Sequence, residues 1–322
     1  MRAVVITEPG SPDVLTLSDV PDPTPSQGEL VIRTEFVGVN HGDVIRRARG
    51  IGTDITEPYV LGFEGVGTVS RLGKQVRGFE VGQRVGFLCQ SGAYADLVCV
   101  PAAQIFRVPS ELSSELVAAS ICVGTTAWHL LRLASVRQGQ TILVHAAAGA
   151  VSSCLIQFAR KHPISILGTV GSPDKASYAS QLGASPVFGY GDGRDFASDV
   201  MDATSGAGVD VIFDCVGAET AAGNTECLAA GGQLLYYGSA SGHGQYAGER
   251  LLTKRLRVEG FVIFSLFERP LVWSYGVSAL LGSLRDGSLS LDVSTLPLSD
   301  VAKAHRMIED RSLRGKVVLD TR

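Results

Sequence analysis

The sequence predicts an α/β protein in which a β-rich domain precedes a doubly wound parallel-sheet domain. Residues 1 to about 118 hold strand-like runs bounded by Gly and Pro, without long helical periodicity. From about 119, continuous apolar runs alternate with helix-like segments, which is typical of a parallel sheet buried on both faces. The 322 residues are enough for two such domains.

Individual elements follow from the same patterns. In the first part, strands are predicted over 29–39, 66–73, 83–88 and 94–100. In the second part, strands are predicted over 141–146, 164–170, 209–216 and 232–238, with a helix of 3.6-residue periodicity over 151–162. The tail after about 260 adds a helix over 270–285, a helix capped by Ser299 and a final strand, "GKVVLD".

Composition narrows the class of function. Hydrophobic residues make up 45% and charged residues 19%, and the net charge of −4 argues against a nucleic-acid binder. No apolar run reaches the roughly 18 residues of a membrane span, and the N-terminus lacks the pattern of a signal peptide. The six cysteines form no C-x-x-C pair, so we expect buried free thiols and a cytoplasmic protein.

The stretch "TILVHAAAGAVSS" (141–153) predicts a strand, a tight turn and a helix, as in a dinucleotide-binding unit. Ala146, Gly149 and Ser152 are small enough for a sharp turn and for close packing of the helix on the sheet. Phosphate would then lie at the helix N-terminus, where Ser152 could add a hydroxyl donor. With a single glycine the motif is weak, and an ordinary strand-to-helix turn remains the alternative.

The end of the next strand, "GTVGSPDK", indicates which dinucleotide is bound. An NAD site usually has an acid here for the ribose hydroxyls, whereas this chain has Gly171 and Ser172. The missing acid and the nearby Lys175 favour the 2′-phosphate of NADP(H). Two alternatives stay open, since Ser172 before Pro173 is also a good helix cap and Lys175 could be a solvated lysine.

Several ordered blocks carry a family resemblance over almost the whole chain. They include "PYVLGFEGVGTVSRLGKQVRGFEVGQRVGF" (58–87), "GTTAWHLL" (124–131), "GQTILVHAAAGAV" (139–151), "VIFDCVGAET" (211–220) and "RSLRGKVVLD" (311–320). The chain resembles the zinc-independent quinone oxidoreductases of the medium-chain dehydrogenase/reductase superfamily. The resemblance implies a GroES-like catalytic domain over 1–118, a Rossmann domain over 119–259 and a return to the catalytic domain over 260–322. It places the active site in the cleft.

The resemblance also implies NADPH and assigns residues to it. Those assigned to the 2′-phosphate or close to it are Gly171, Ser172, Lys175, Tyr190 and Arg311. Those assigned to the nicotinamide and pyrophosphate or to the far strands are Thr126, His129, Gly149, Ala150, Val151, Ser152, Cys215, Gly238, Ser239 and Ser241. Asn40, His41 and Asp43 would face the nicotinamide end of the cleft as catalytic residues.

The same comparison predicts no metal. Zinc-dependent relatives have Cys where this chain has Asn40 and His where it has Phe63, which leaves only Glu64. Catalytic zinc needs about three protein ligands. Without a Lewis acid, hydride addition to a quinone or an α,β-unsaturated carbonyl is favoured. Asn40 would position the acceptor or the nicotinamide, unless it serves only the local turn, and His41 could donate a proton or hydrogen bond, unless it is a surface loop histidine.

Two departures from the family pattern leave an alternative open. The turn reads Gly149-Ala150-Val151-Ser152 where the family usually has G-G-V-G, and Ile45 replaces a tyrosine that is common in the family's active site. The alternative is a redox-silent relative that acts as a binding protein or as a catalyst without cofactor. The resemblance also predicts a homodimer that pairs through an edge strand of the Rossmann sheet.

Overall fold

The chain folds into two compact units. The structure, a computed structural model, describes residues 1–50, 58–191, 193–311 and 313–322. The first unit comprises Met1–Thr125 and Leu266–Arg322, and the second comprises Thr126–Ser265. The sequence puts the first boundary at about 118 because the composition changes there. The observed boundary lies later, since one continuous helix, Ser114–Ala134, passes from one unit into the other.

The first part of the chain is mostly strands, as predicted. Its elements are β1 (Arg2–Ile6), β2 (Thr16–Asp19), β3 (Glu29–Val39), α1 (His41–Arg49), β4 (Tyr59–Val60), β5 (Glu64–Leu72), β6 (Arg84–Leu88), β7 (Leu97–Pro101), β8 (Ile105–Arg107) and α2 (Ser114–Ala134). Helix α2 is long and apolar enough to cross a membrane. However, 78% of its apolar window is buried inside the structure, as expected for a core helix.

The second unit alternates strands and helices. Its elements are β9 (Thr141–Val144), α3 (Ala150–Ala159), β10 (Ser165–Val170), α4 (Ala176–Leu182), β11 (Val187–Gly189), α5 (Phe196–Ala203), β12 (Val209–Asp214), α6 (Ala221–Cys227), β13 (Leu228–Tyr236), α7 (Gly248–Thr253) and β14 (Arg257–Gly260). The six strands form one parallel sheet in the order β11-β10-β9-β12-β13-β14. This is the doubly wound order of a dinucleotide-binding fold.

The tail returns to the first unit. It contains α8 (Pro270–Arg285), β15 (Val293–Pro297), α9 (Val301–Glu309) and β16 (Lys316–Asp320). Strand β16 pairs antiparallel with β3, which completes a seven-stranded sheet, and β1 forms a smaller sheet with β2 and β4. The predicted cap at Ser299 is wrong, because Ser299 lies in a 3-10 turn and Asp300 precedes α9.

The six cysteines are free thiols, as predicted. Cys89, Cys122, Cys154 and Cys227 are buried, and Cys99 and Cys215 are half-buried.

Candidate functional site

The carboxyl edge of the second unit's sheet gathers most of the predicted cofactor residues. In the sheet, β10 and β11 lie on one side of β9, and β12, β13 and β14 lie on its other side. Loops that leave β9 and β12 therefore diverge, which opens the crevice where such sheets bind nucleotides. The loops after β9, β10, β12 and β13 all begin at this edge, because the strands are parallel.

The turn after β9 works with one glycine. Gly149 is the residue that precedes helix α3, and a Cβ atom at this position would lie 3.0 Å from the carbonyl oxygen of Ala146. Ala146 takes a left-handed backbone conformation with φ of 46°, which alanine adopts only at a cost of about 1–2 kcal/mol. No side chain caps α3 at Gly149. Its first N–H groups thus suit an anion such as a pyrophosphate.

Two predicted hydroxyl ligands are already engaged within the protein. The hydroxyl of Ser152 is buried, donates to the carbonyl of His145 at 2.8 Å and lies 3.0 Å from the hydroxyl of Tyr237. The hydroxyl of Ser241 donates to the carbonyl of Val216 at 2.9 Å. The interpretation of Ser152 as a hydroxyl donor to phosphate is wrong for this structure. The two hydroxyls stabilise the loops after β9 and β12 by donating to their backbone carbonyls.

The end of β10 keeps its predicted character. Ser172 occupies the cap position of a 3-10 turn (Pro173–Lys175) and Pro173 follows at the first position, as the alternative predicts, but the Ser172 side chain makes no capping hydrogen bond. Gly171 and Lys175 are half-buried in the same segment. Tyr190 lies just after β11, and its ring is buried in the core, with its centroid 6.3 Å from that of the His145 ring in an edge-to-face arrangement.

Other predicted cofactor residues lie in the second unit, with one exception. In α2, Thr126 and His129 are buried, and His129 Nε2 has no hydrogen-bond partner among the described residues. The pKa of His129 is lowered to about 4, mainly by burial and to a smaller extent by the charge of the neighbouring Arg132. Its imidazole is therefore neutral. Arg311 belongs to the first unit and follows α9, so its assignment to the phosphate stays a prediction.

The loops after β12 and β13 approach each other closely. A Cβ atom on Gly238 would lie 3.0 Å from the carbonyl oxygen of Cys215, so a larger residue would push these loops apart. Burial raises the pKa of the Cys215 thiol to about 11, and the thiol is therefore neutral at physiological pH. Ser239 follows in the same half-buried segment.

A buried polar cluster in the first unit surrounds Asn40. Lys316 Nζ donates to Glu64 Oε1 at 2.8 Å and also to Asn40 Oδ1. Asn40 Nδ2 donates to Glu64 Oε1 at 2.6 Å, and the backbone N–H of Cys122 donates to Glu64 Oε2 at 2.6 Å. The side chains of Lys316 and Glu64 are only 3% and 0% exposed.

These contacts fix the orientation of the Asn40 amide. An ammonium can only donate and an ionised carboxylate can only accept, so Oδ1 must face Lys316 and Nδ2 must face Glu64. One Nδ2 hydrogen remains for a further partner. The same contacts argue against a metal, because both oxygens of Glu64 are engaged and a cation already lies beside them. Within the described part of the chain, no group of three His, Cys, Asp or Glu residues could hold a metal ion.

Asp43 is bound within the protein, and its catalytic role stays a prediction. Its carboxylate is 0% exposed and accepts the backbone N–H groups of Asn40 at 3.0 Å and Gly62 at 3.1 Å. Burial raises the pKa of Asp43 to about 7. His41, by contrast, is exposed at the start of α1, where partial desolvation, Arg311 and Arg49 lower its pKa.

The residues of the second unit fit a dinucleotide that carries a 2′-phosphate. The N-terminus of α3 lacks a side-chain cap, and His129 Nε2 is buried without a hydrogen-bond partner among the described residues. After β10, Gly171 and Ser172 stand where an NAD site usually has an acid, and Lys175 follows. Lys316 was not among the site residues predicted from the sequence. A lysine in the apolar run "GKVVLD" could have been noticed as a buried cation in need of a carboxylate.

Comparisons with known proteins agree with this reading. The sequence matches the family described as "Alcohol dehydrogenase GroES-like domain" over residues 26–110 and the family described as "Zinc-binding dehydrogenase" over residues 150–278. A 2-haloacrylate reductase from Burkholderia is 33% identical and covers 99% of this chain and 98% of its own. A probable quinone oxidoreductase from Schizosaccharomyces pombe is 31% identical and covers 98% and 96%. A mycobacterial protein solved in complex with NADPH has a TM-score of 0.94 at 33% identity, with all of both chains covered.

We expect Lys316→Met to lower the free energy of unfolding by about 3–5 kcal/mol, because it leaves Glu64 as an uncompensated buried charge. Urea unfolding followed by circular dichroism measures this change. Lys303→Met is the matched control, since Lys303 is an exposed lysine in α9 of the same unit. Equal losses in the two variants would show that the buried pair has no special role.

Proposed function

The chain belongs to the zinc-independent quinone oxidoreductase family of the medium-chain dehydrogenase/reductase superfamily, and we propose that it is an NADPH-dependent reductase of quinones or α,β-unsaturated carbonyl compounds. The main support is the edge of the parallel sheet, where helix α3 has no side-chain cap and β10 is followed by Gly171 and Ser172, not by an acid, with Lys175 nearby.

The choice of NADPH has two independent supports. Phosphate groups are stabilised by free N–H groups at a helix N-terminus, and a 2′-phosphate is stabilised by a nearby cation where NAD sites have a carboxylate. Lys175 supplies that cation after β10. The mycobacterial structure with a TM-score of 0.94 is itself a complex with NADPH.

When bound, NADPH supplies a hydride. The protein then has to orient the acceptor and stabilise the negative charge that develops on its oxygen. Asn40 offers one fixed Nδ2–H for this purpose, because Lys316 and Glu64 hold the rest of its amide. Ile45, which is half-buried in α1, supplies no proton, so His41 on the same helix is our candidate donor.

The class of acceptor follows from the same chemistry and from the relatives. Quinones and conjugated carbonyl compounds accept a hydride without a metal, because the charge spreads onto an oxygen atom. The substrate named in the Burkholderia relative, 2-haloacrylate, also has a double bond conjugated to a carboxyl group. A cytoplasmic location stays a prediction of the sequence.

We expect the purified protein to oxidise NADPH when a quinone or an enone is added, followed by the loss of absorbance at the nicotinamide band. Asn40→Ala should reduce kcat by about 10²-fold or more, as for removal of one donor to a developing oxyanion. The control is the wild-type protein with a saturated ketone, which lacks the conjugated double bond and should not support NADPH oxidation. NADPH binding without turnover of any quinone or enone would favour the redox-silent alternative.

Lys175→Ala should weaken NADPH binding by about tenfold or more, because one charge-assisted hydrogen bond contributes about 1.5–3 kcal/mol. NADH binding should change little, since NADH lacks the 2′-phosphate. Fluorescence titration with each nucleotide measures both values. Lys161→Ala, at an exposed lysine of the same unit, is the matched control. Equal losses for NADPH and NADH would mean that Lys175 does not contact the 2′-phosphate.

We also propose a homodimer that pairs through β14. This strand is an edge of the six-stranded sheet, all four of its residues are exposed, and Val258 and Val262 are exposed apolar residues in or next to it. An open strand edge is a template for pairing with a second chain.

Val258→Glu should shift the protein from dimer to monomer in light scattering after size-exclusion chromatography, because two like charges would meet across the paired strands. Val81→Glu, at an exposed valine of the first unit, is the control. A monomeric wild-type protein would refute the proposed dimer.

A further inference from the structure

A buried chain of hydrogen bonds lies beneath the sheet edge assigned to the cofactor. It links Thr169, His145, Asn224, Asp214 and Thr220, each of which is 0% exposed. His145 Nδ1 lies 2.7 Å from Thr169 Oγ1, and His145 Nε2 lies 2.6 Å from Asn224 Oδ1. Asn224 Nδ2 and the hydroxyl of Thr220 donate to Asp214 Oδ2 at 2.8 and 2.9 Å.

The direction of each hydrogen bond follows from Asp214. Its other oxygen accepts the backbone N–H groups of Val216 at 2.7 Å and Gly217 at 3.2 Å, so the carboxylate meets only donors. Asn224 must therefore turn Nδ2 toward Asp214 and Oδ1 toward His145. Since an amide oxygen only accepts, the proton of His145 is on Nε2.

Nδ1 of His145 is then an acceptor, and the hydroxyl of Thr169 is its donor. Burial lowers the pKa of His145, which agrees with a neutral imidazole. The rings of Phe196 and Tyr190 meet the imidazole edge-on, with centroids 5.0 and 6.3 Å away. The ring is thereby held by hydrogen bonds in its plane and by packing around it.

These hydrogen bonds connect the ends of three strands that would surround the dinucleotide. His145 lies between β9 and the turn that carries Gly149, and Thr169 lies in β10 just before Gly171. Asp214 is the last residue of β12 and shapes the loop that begins with Cys215. The backbone of His145 is held as well, because its N–H donates to the carbonyl of Phe213 at 3.0 Å.

We propose that His145 is a positioning residue for dinucleotide binding, whose Nε2–H tautomer holds the ends of β9, β10 and β12 at the spacing that the pyrophosphate needs. This inference rests on the proposed function. The pyrophosphate is common to NADPH and NADH, so loss of the His145 contacts weakens both nucleotides by the same factor. Loss of Lys175 weakens NADPH selectively, which separates the two roles.

The test compares Thr169→Val and His145→Phe with the wild-type protein. Valine has the shape of threonine but cannot donate to Nδ1. Thr225→Val is the matched control, because Thr225 is a buried threonine of α6. Its hydroxyl donates to the carbonyl of Ala222 and takes no part in the hydrogen bonds that link Thr169 to Thr220. Kd values for NADPH and NADH are measured by fluorescence titration, and Tm is measured by differential scanning fluorimetry.

We expect Thr169→Val and His145→Phe to raise both Kd values by about tenfold, equivalent to about 1.4 kcal/mol. Thr225→Val should lower Tm and leave both Kd values unchanged. A folded Thr169→Val variant with wild-type Kd values would overturn the proposal, and this variant decides the matter if His145→Phe does not fold.

An independent test uses the wild-type protein without nucleotide. Two-bond ¹H–¹⁵N spectra of the histidine side chains report which nitrogen carries the proton. The Nε2–H tautomer is expected for His145, and an Nδ1–H tautomer overturns the proposal whatever the affinities. Wild-type protein that binds neither nucleotide refutes the proposed function, and the role of His145 in binding with it. Normal wild-type binding with unchanged variants refutes the role of His145 alone.

Discussion

Buried polar groups at the ends of parallel strands have to be hydrogen-bonded, because an unpaired one costs about 1–3 kcal/mol. In the second unit this constraint falls on Asp214, whose carboxylate collects two backbone N–H groups, an amide and a hydroxyl. Through Asn224 the same carboxylate sets the tautomer of His145. In our proposal, the spacing of the loops at this sheet edge is set by these buried donors and acceptors.

The first unit meets the same constraint with an ion pair. Glu64 is fully buried, and the ammonium of Lys316 offsets its charge while the N–H of Cys122 takes its second oxygen. A buried pair of this kind gives little net stability, because desolvation costs about as much as the attraction returns. Its consequence here is geometric. The pair turns the amide of Asn40 into a fixed group with one N–H to spare.

The turn after β9 shows which position of a dinucleotide-binding motif has no room for a side chain. Gly149 directly precedes α3, at a point where a Cβ atom would lie 3.0 Å from the carbonyl oxygen of Ala146. Ala146 itself takes a left-handed conformation without being glycine. Ala150 and Ser152 lie within the helix, where small side chains are enough. The free N–H groups at the start of α3 are thus preserved despite the departure from the family pattern.

The sequence by itself determined the doubly wound sheet, because buried parallel strands and amphipathic helices each leave a short-range periodic pattern. The predicted bounds of β3 and α8 match the structure, and the absence of an acid at positions 171 and 172, directly after β10, is visible in the sequence. Only the tertiary structure decided what polar side chains do. Ser152 meets Tyr237, and Asn40 meets Lys316, which are 85 and 276 residues apart along the chain. A hydroxyl or an amide takes its direction from partners brought close by folding, and no local periodicity records those partners.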